Sequence, residues 1–288
     1  MAKAVKHPEA GKLWLVPVPI GNLGDITLRA LEVLKSVSLI AAEDTRNARF
    51  LLTRYEIPAP RLISFHKFNE RSREDSLIQH LMAGQDLAVI SDAGTPGLSD
   101  PAMELVASAI SKGFEVIALP GASALLPALT ASGLNRGPFL FLGFLPTQRK
   151  TRQQALSKIR DSIYTVVLYE APHRIFELLN ELWEQCGNRR ISLGRELTKL
   201  HEEHIRGDLE TLREPGSFNP KGEFVLIIEG AEPAQQCSEA QIHELAQLLV
   251  DEGIAINPAA KILSRAYGLK RNQAYQFLLD LQRQRHTE

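Results

Sequence analysis

Leu87-Ala-Val-Ile-Ser-Asp-Ala-Gly-Thr-Pro-Gly97 is the stretch that decides the fold. Four apolar residues, too few for a helix, run into a turn that holds a carboxylate and two glycines. A short, uninterrupted apolar run is the pattern of a strand buried on both faces. The helical stretch 102–112 follows the turn, so the segment reads as half of a strand–helix–strand unit.

The same alternation extends in both directions. Residues 13–18, 37–42, 61–65, 87–91 and 115–119 read as strands rich in Val, Ile and Leu. Residues 27–35, 45–55, 70–83, 102–112 and 122–132 read as helices, with apolar residues at helical spacing such as Leu77, Ile78 and Leu81. This predicts an N-terminal α/β domain over 13–133, with a mostly parallel sheet covered on both faces. After a break at 133–138, a second α/β domain is expected over 134–231. Strands are read at 139–144, 164–170, 190–196, 204–207 and 223–229, with a basic helix at 149–160 and another at 172–185. Several of these strands follow one another without a helix, so the second sheet is expected to be mixed. Residues 231–236 read as a polar, proline-containing linker. Three helices at 239–251, 258–267 and 270–283 then form a small helix-turn-helix-like domain over 237–288. Asn257 is its expected cap, Pro258 a first-turn residue and Gly268 a helix stop.

Composition limits the function classes. The chain has 288 residues, 44% hydrophobic and 23% charged, with a formal net charge of −1. A whole-molecule basic field is therefore excluded, and any polyanion site must be local. Cys186 and Cys237 lack the spacing of a zinc or disulfide framework, so no metal is expected and both read as reduced thiols. No signal peptide is visible before residue 13, and no apolar run is long enough to span a membrane. The expected compartment is the cytoplasm.

Three glycine-bearing loops follow the first, fourth and fifth strands: residues 17–24, 91–100 and 120–124. Ligands of open α/β sheets sit at that carboxyl edge. None of the loops matches a P-loop or a GxGxxG fingerprint. The middle loop offers Asp92, Thr95 and backbone amides with no lysine or arginine beside them, which suits a zwitterionic or cationic ligand better than a polyphosphate.

Six motifs occur in order: Val16-Pro-Val-Pro-Ile-Gly-Asn22, Ala42-Glu-Asp-Thr-Arg46, Ser91-Asp-Ala-Gly-Thr-Pro96, Leu119-Pro-Gly-Ala-Ser-Ala124, Tyr169-Glu-Ala-Pro-His-Arg174 and Gly194-Arg-Glu-Leu-Thr-Lys199. Together they resemble the tetrapyrrole (corrin/porphyrin) methylase superfamily and, within it, the ribosomal RNA small-subunit methyltransferase I group. The resemblance runs from about residue 13 to about 284. It implies two α/β domains of class III methyltransferase type with S-adenosyl-L-methionine in the cleft between them, and a homodimer. It implies methylation of the 2′-hydroxyl of a cytidine in 16S rRNA of the small ribosomal subunit. Matched motif by motif, it puts Pro19, Asp92, Ala93, Gly94, Thr95, Leu98, Ser123, Ala124, Tyr169, Glu170 and Leu197 at the cofactor.

A ribose hydroxyl attacks only when its proton is taken or its developing charge is stabilised. The cleft-side candidates are Glu43, Asp44, Arg46, His66, Lys199 and Glu170, with Glu43 or Lys199 expected to handle the proton. Asp44 also reads as a helix cap with Arg46 as its ion partner. RNA requires cations for its phosphates. Residues 147–160 hold five and no acid, and residues 257–285 hold six against one acid. Arg149, Lys150, Arg152, Lys261, Arg265, Lys270 and Arg271 are the expected RNA contacts. Tyr267 and Tyr275 read as core before they read as base-stacking groups. Two other functions fit the fold: a methyltransferase acting on a corrin or porphyrin, and a non-catalytic adenosylmethionine-sensing nucleic-acid-binding protein.

Overall fold

The structure, a computed structural model, describes residues 9–58, 60–98, 102–135, 137–232 and 239–285. Cys237, Asp100 and most of the 231–236 linker lie outside them. The chain divides into two units at Gly230/Ala231.

The first sheet of the larger unit comprises β1 (Leu13–Leu15), β2 (Leu39–Ala42), β3 (Arg61–Ser64), β4 (Leu87–Ile90) and β5 (Val116–Ala118), in the order β3-β2-β4-β1-β5. Every neighbouring pair is parallel. Alternate side chains leave each strand on opposite faces, and both faces are covered. Ile40, Ala42, Ala88 and Ile90 pack on one side with Val33 and Leu34 of α1 (Leu28–Ser36) and Leu51 and Leu52 of α2 (Thr45–Arg54). Leu39, Ala41, Leu87 and Val89 pack on the other with Leu77 and Leu81 of α3 (Glu70–Met82) and Leu105 of α4 (Met103–Ser111). Burial on both faces is why these strands read as unbroken apolar runs.

α5 (Leu125–Ser132) belongs in sequence to this half but packs on the other sheet. Its Leu125, Ala128 and Leu129 join Val167, Val225 and Ile227 in one core. Glycine at position 194 permits the approach, since a Cβ there would lie 3.2 Å from that of Ala128. The second sheet comprises β6 (Phe139–Phe144), β7 (Thr165–Glu170), β8 (Arg190–Arg195), β9 (Glu203–Asp208) and β10 (Phe224–Ile228), ordered β6-β7-β10-β8-β9. Only β6 and β7 are parallel, so this sheet is mixed, as its strand succession predicts. α6 (Arg149–Asp161), α7 (Ile175–Cys186) and α8 (Leu209–Leu212) cover its second face with Leu156, Ile159, Leu178, Leu182 and Leu209.

The smaller unit is α9 (Glu239–Asp251), α10 (Ile256–Tyr267) and α11 (Arg271–Arg285) around Ala246, Leu249, Ala260, Leu263, Ala274 and Leu278. Tyr267 and Tyr275 pack against that core. Gly268 ends α10 in the left-handed conformation (φ +67°), which glycine adopts without a Cβ penalty.

Three local expectations are corrected. α10 starts at Ile256 with Ala255 as cap, so Asn257 is inside its first turn. The segment expected to be helical from Ala122 turns helical only at Leu125; before it, Gly121 packs on Pro17 and the Ala122 carbonyl accepts from Thr95. The helix expected over 172–185 opens as a 3₁₀ turn, Pro172–Arg174, before α7.

Candidate active site

β1 lies between β4 and β5, so the three glycine-bearing loops emerge side by side. They are also tied together. The Val18 N–H donates to Gly94 O and the Gly94 N–H to Val18 O, both at 3.0 Å. Thr95 Oγ1 donates to Ala122 O at 3.0 Å. Gly94 is left-handed (φ +78°) and packs beneath Ile20. β2 lies on the other side of β4 and brings its own turn to the middle loop. The Asp92 N–H donates to Glu43 Oε2 at 3.3 Å, and the Asp44 N–H to Asp92 Oδ1 at 3.1 Å.

Between these loops and the edge of the second sheet lies a cleft of about 460 Å³, within the usual range for small-ligand sites. Asp92, Ala93, Gly94, Thr95, Leu98, Ser123 and Ala124 line it from the first sheet. Tyr169 and Glu170, at the end of β7, and Leu197, just beyond β8, line it from the second. Pro19 faces instead a smaller adjoining cleft of about 290 Å³.

The large cleft is acidic. Glu43, Asp92, Glu170 and Glu223 contribute carboxylates, and among the described residues no lysine, arginine or histidine lines it. Glu170 is only 2% exposed. Its Oε1 accepts the Ala171 N–H and lies 3.5 Å from the Arg174 guanidinium, while its Oε2 has no hydrogen-bond partner. The buried hydroxyl oxygen of Ser123 is also without a partner. Buried polar atoms left this way cost stability unless a ligand or water answers them. Tyr169 stands edge-on to Phe141 and Phe144, with ring centroids 5.1 and 5.6 Å away, and forms an apolar wall. A cationic ligand with hydrogen-bonding groups and an apolar body fits this lining.

The catalytic candidates separate. Glu43 lines the cleft. Asp44 does not: it caps α2, its carboxylate accepting the Arg46 N–H and the Arg46 guanidinium. Hydrogen bonds from that side chain and backbone hold its pKa down at about 2. Arg46 is correspondingly engaged. His66 sits in its own turn, where Nδ1 accepts the Phe68 N–H and Nε2 lies 3.3 Å from Asn69 Nδ2.

Lys199 is outside the lining but beside it. Its Nζ lies 2.9 Å from Glu196 Oε1 and 3.0 Å from Glu223 Oε2. Burial pulls its pKa down, but these two carboxylates outweigh burial and raise it. The ammonium therefore has no free lone pair with which to take a proton near neutral pH.

Sequence reasoning missed Glu223 and the backbone around Leu197. β10 runs antiparallel to β7 and β8, so its first residues meet the ends of both: Phe224 pairs with Glu170 and with Arg195. That pairing is long-range and leaves no local signal. Glu196 (φ +49°) and Thr198 (φ +67°) are left-handed without being glycine. Such conformations concentrate at functional sites, and no glycine marks them in the sequence.

The basic residues separate as well. Arg149, Lys150 and Lys158 are exposed on α6, whereas Arg160 pairs with Asp161. Arg152, grouped with the RNA contacts by its charge, is 8% exposed, and its guanidinium donates to both Glu181 oxygens. It cannot reach a phosphate without breaking that pair. Lys261, Arg265, Lys270 and Arg271 are exposed on the smaller unit.

Among the described residues there is no metal-type cluster of three or more His, Cys, Asp or Glu side chains, and no helix long and apolar enough to cross a membrane. The family model of the tetrapyrrole (corrin/porphyrin) methylases matches residues 12–213. The chain is 45% identical over 276 residues to a ribosomal RNA small subunit methyltransferase I from Synechocystis sp., covering 94% of this chain and 99% of that one. It is 47% identical over 226 residues to the protein of the same name from Halalkalibacterium halodurans, covering 78% of each. A crystal structure of uroporphyrin-III C-methyltransferase from Thermus thermophilus, complexed with S-adenosylhomocysteine, shares the fold. Its TM-score is 0.55 at 19% identity, over 76% of this chain and 97% of that one.

Proposed function

The chain belongs to the tetrapyrrole (corrin/porphyrin) methylase family, and from this premise we propose that it methylates a ribose in small-subunit ribosomal RNA. The donor is S-adenosyl-L-methionine and the acceptor the 2′-hydroxyl of a cytidine in 16S rRNA. One observation carries the reading: four carboxylates line the cleft, and the cations beside them, Arg174 on Glu170 and Lys199 on Glu223, leave Glu43 and Asp92 without an ion pair among the described residues, with buried Ser123 and Glu170 oxygens unanswered. A sulfonium-bearing amino acid nucleoside supplies the positive charge and the hydrogen-bonding groups that such a lining lacks.

The Asp92–Thr95 loop, Ser123, Ala124, Tyr169, Glu170, Leu197 and Leu98 are the groups assigned to hold it, with Pro19 at the rim. Bound there, it supplies a methyl group on a positively charged sulfur. The chain's own task is to align the acceptor oxygen in a water-poor cleft and to receive its proton. Glu43 is the residue assigned to the proton, since it lines the cleft while the Lys199 ammonium is already held by two carboxylates. Lys199 becomes a positioning residue.

Arg149 and Lys150 on one surface, and Lys261, Arg265, Lys270 and Arg271 on the smaller unit, are assigned to RNA phosphates. The functional partition follows as 13–133, 134–231 and 237–288. Homodimerisation and a cytoplasmic location belong to the same proposal.

The test pairs calorimetric binding of S-adenosylmethionine with transfer of labelled methyl to small ribosomal subunits, the product nucleoside being identified by mass spectrometry. The wild type is expected to bind the donor and yield a 2′-O-methylcytidine. Glu43→Gln is expected to retain donor binding with a modest loss of affinity, about tenfold at most, and to lose about 10²–10⁴-fold in transfer. No uptake of the donor by the folded protein sinks the reading; full activity of Glu43→Gln removes that residue's role.

A further inference from the structure

A smaller cleft adjoins the cofactor site, with Pro19, Asp92 and Ala93 of the donor-assigned residues in its lining. It lies between the first loop, Val18 to Leu23, and one face of α2 at Asn47, Ala48, Phe50 and Leu51. It shares Ile20, Asp92 and Ala93 with the large cleft, so the two cavities have a wall in common. We propose that this smaller cleft is the seat of the acceptor's pyrimidine base, turned out of the RNA so that its ribose lies at the shared wall. The inference rests on the methyltransferase reading above and adds where the acceptor nucleoside binds.

Five features support it. A ribose can meet a donor only if its base is accommodated next door, and a pocket beside the donor site would receive a base turned out of its stack. The cavity, at about 290 Å³, is smaller than its neighbour at about 460 Å³, in keeping with a single-ring base. Phe50, 67% exposed on a helix face, is a large apolar ring without a packing reason to face solvent, and it offers a stacking surface.

The hydrogen-bonding groups are also at hand. Asn47 is exposed and its amide both donates and accepts. In the first loop, the N–H groups of Ile20 and Gly21 and the Pro19 carbonyl make no hydrogen bond to any described residue. These groups match the mixed donor and acceptor edge of cytosine. Arg46, four residues before Phe50 and paired with Asp44, and Arg49, next to Phe50 in the sequence, are both exposed on the same helix and offer cations to flanking phosphates.

The test uses Phe50→Ala and Asn47→Ala in the full chain. Both positions are exposed, so folding is expected to be intact; circular dichroism and unaltered donor binding by calorimetry verify this. Each variant is expected to lose about tenfold or more in kcat/KM for small subunits, mainly through KM. Asn47→Asp, which keeps an acceptor but removes the amide's donor, is expected to lower transfer to the cytidine target. If both alanine variants methylate with wild-type KM, the base does not sit in this cleft. If the wild type binds the donor but transfers no methyl to ribosomal RNA, the functional reading fails and the inference with it. These two failures differ in the wild-type result.

Discussion

Lys199 lies across Gly21: a Cβ built on that glycine would sit 2.5 Å from the lysine's Cγ. The lysine thus joins the first loop, which faces both clefts, to the second sheet, through Glu196 and through Glu223 at the start of β10. The stem packs on one half of the site while the ammonium is held by the other. Gly222 (φ +107°) extends the arrangement, since a side chain there would run into Glu196.

This packing makes Gly21→Ala and Lys199→Ala dependent on each other. Gly21→Ala must push the Lys199 stem aside and is expected to weaken donor affinity about tenfold, as is Lys199→Ala. The double variant is expected to be no worse than either single one, with a coupling of about 1.4 kcal/mol in a double-mutant cycle read by calorimetry. Strictly additive losses would mean that the lysine does not hold the loop.

The pH dependence separates a positioning lysine from a proton-accepting one. Lys199 has a raised folded pKa, so its contribution is complete below the ordinary lysine value of 10.5 and is lost as pH rises through the folded value. For Glu196, burial alone would raise the pKa, but the Lys199 ammonium and the Glu223 N–H outweigh it and lower it. Its contribution is complete above the ordinary glutamate value of 4.5 and is lost as pH falls through the folded one. The ratio of wild-type to Lys199→Gln transfer rates is therefore expected to be flat between these limits. A ratio that titrates near neutrality would make Lys199 the proton acceptor.

Arg152 and Arg149 share a helix and a charge but not a role. Arg152→Ala leaves Glu181 facing a lost bidentate partner and is expected to cost about 2–3 kcal/mol in urea unfolding. Arg149→Ala is expected to change stability by less than about 0.5 kcal/mol. It should instead lower the slope of RNA affinity against salt by about one charge. An Arg152→Ala variant with wild-type stability and a reduced salt slope would return that residue to the RNA surface.

Gly121 packs against the Pro17 ring, with a built Cβ 2.5 Å from Pro17 Cβ. Unlike a lysine stem, a proline ring cannot swing away. Gly121→Ala is expected to cost about 1–3 kcal/mol, the usual range for overpacking, and to weaken donor binding because Ser123 moves with it. Unfolding and calorimetry on the one variant read both effects, and wild-type values in both would show that the loops tolerate separation.

Sequence alone determined the strand–helix alternation, the mixed character of the second sheet and the identity of the three loops. Those features are local: hydrophobic period, apolar run length and glycine placement report them directly, whereas the eleven residues assigned to the donor came from the motif resemblance, and ten of them line the large cleft. Tertiary structure decided what depends on partners far along the chain. It set α5 against the second sheet through Gly194, withdrew Arg152 from the surface by pairing it with Glu181, and locked the Lys199 ammonium between two carboxylates. It also brought Glu223 to the cleft by antiparallel pairing. Charge and polarity are legible residue by residue, but whether a charge is spent on another side chain is a property of distance, which only the folded chain sets.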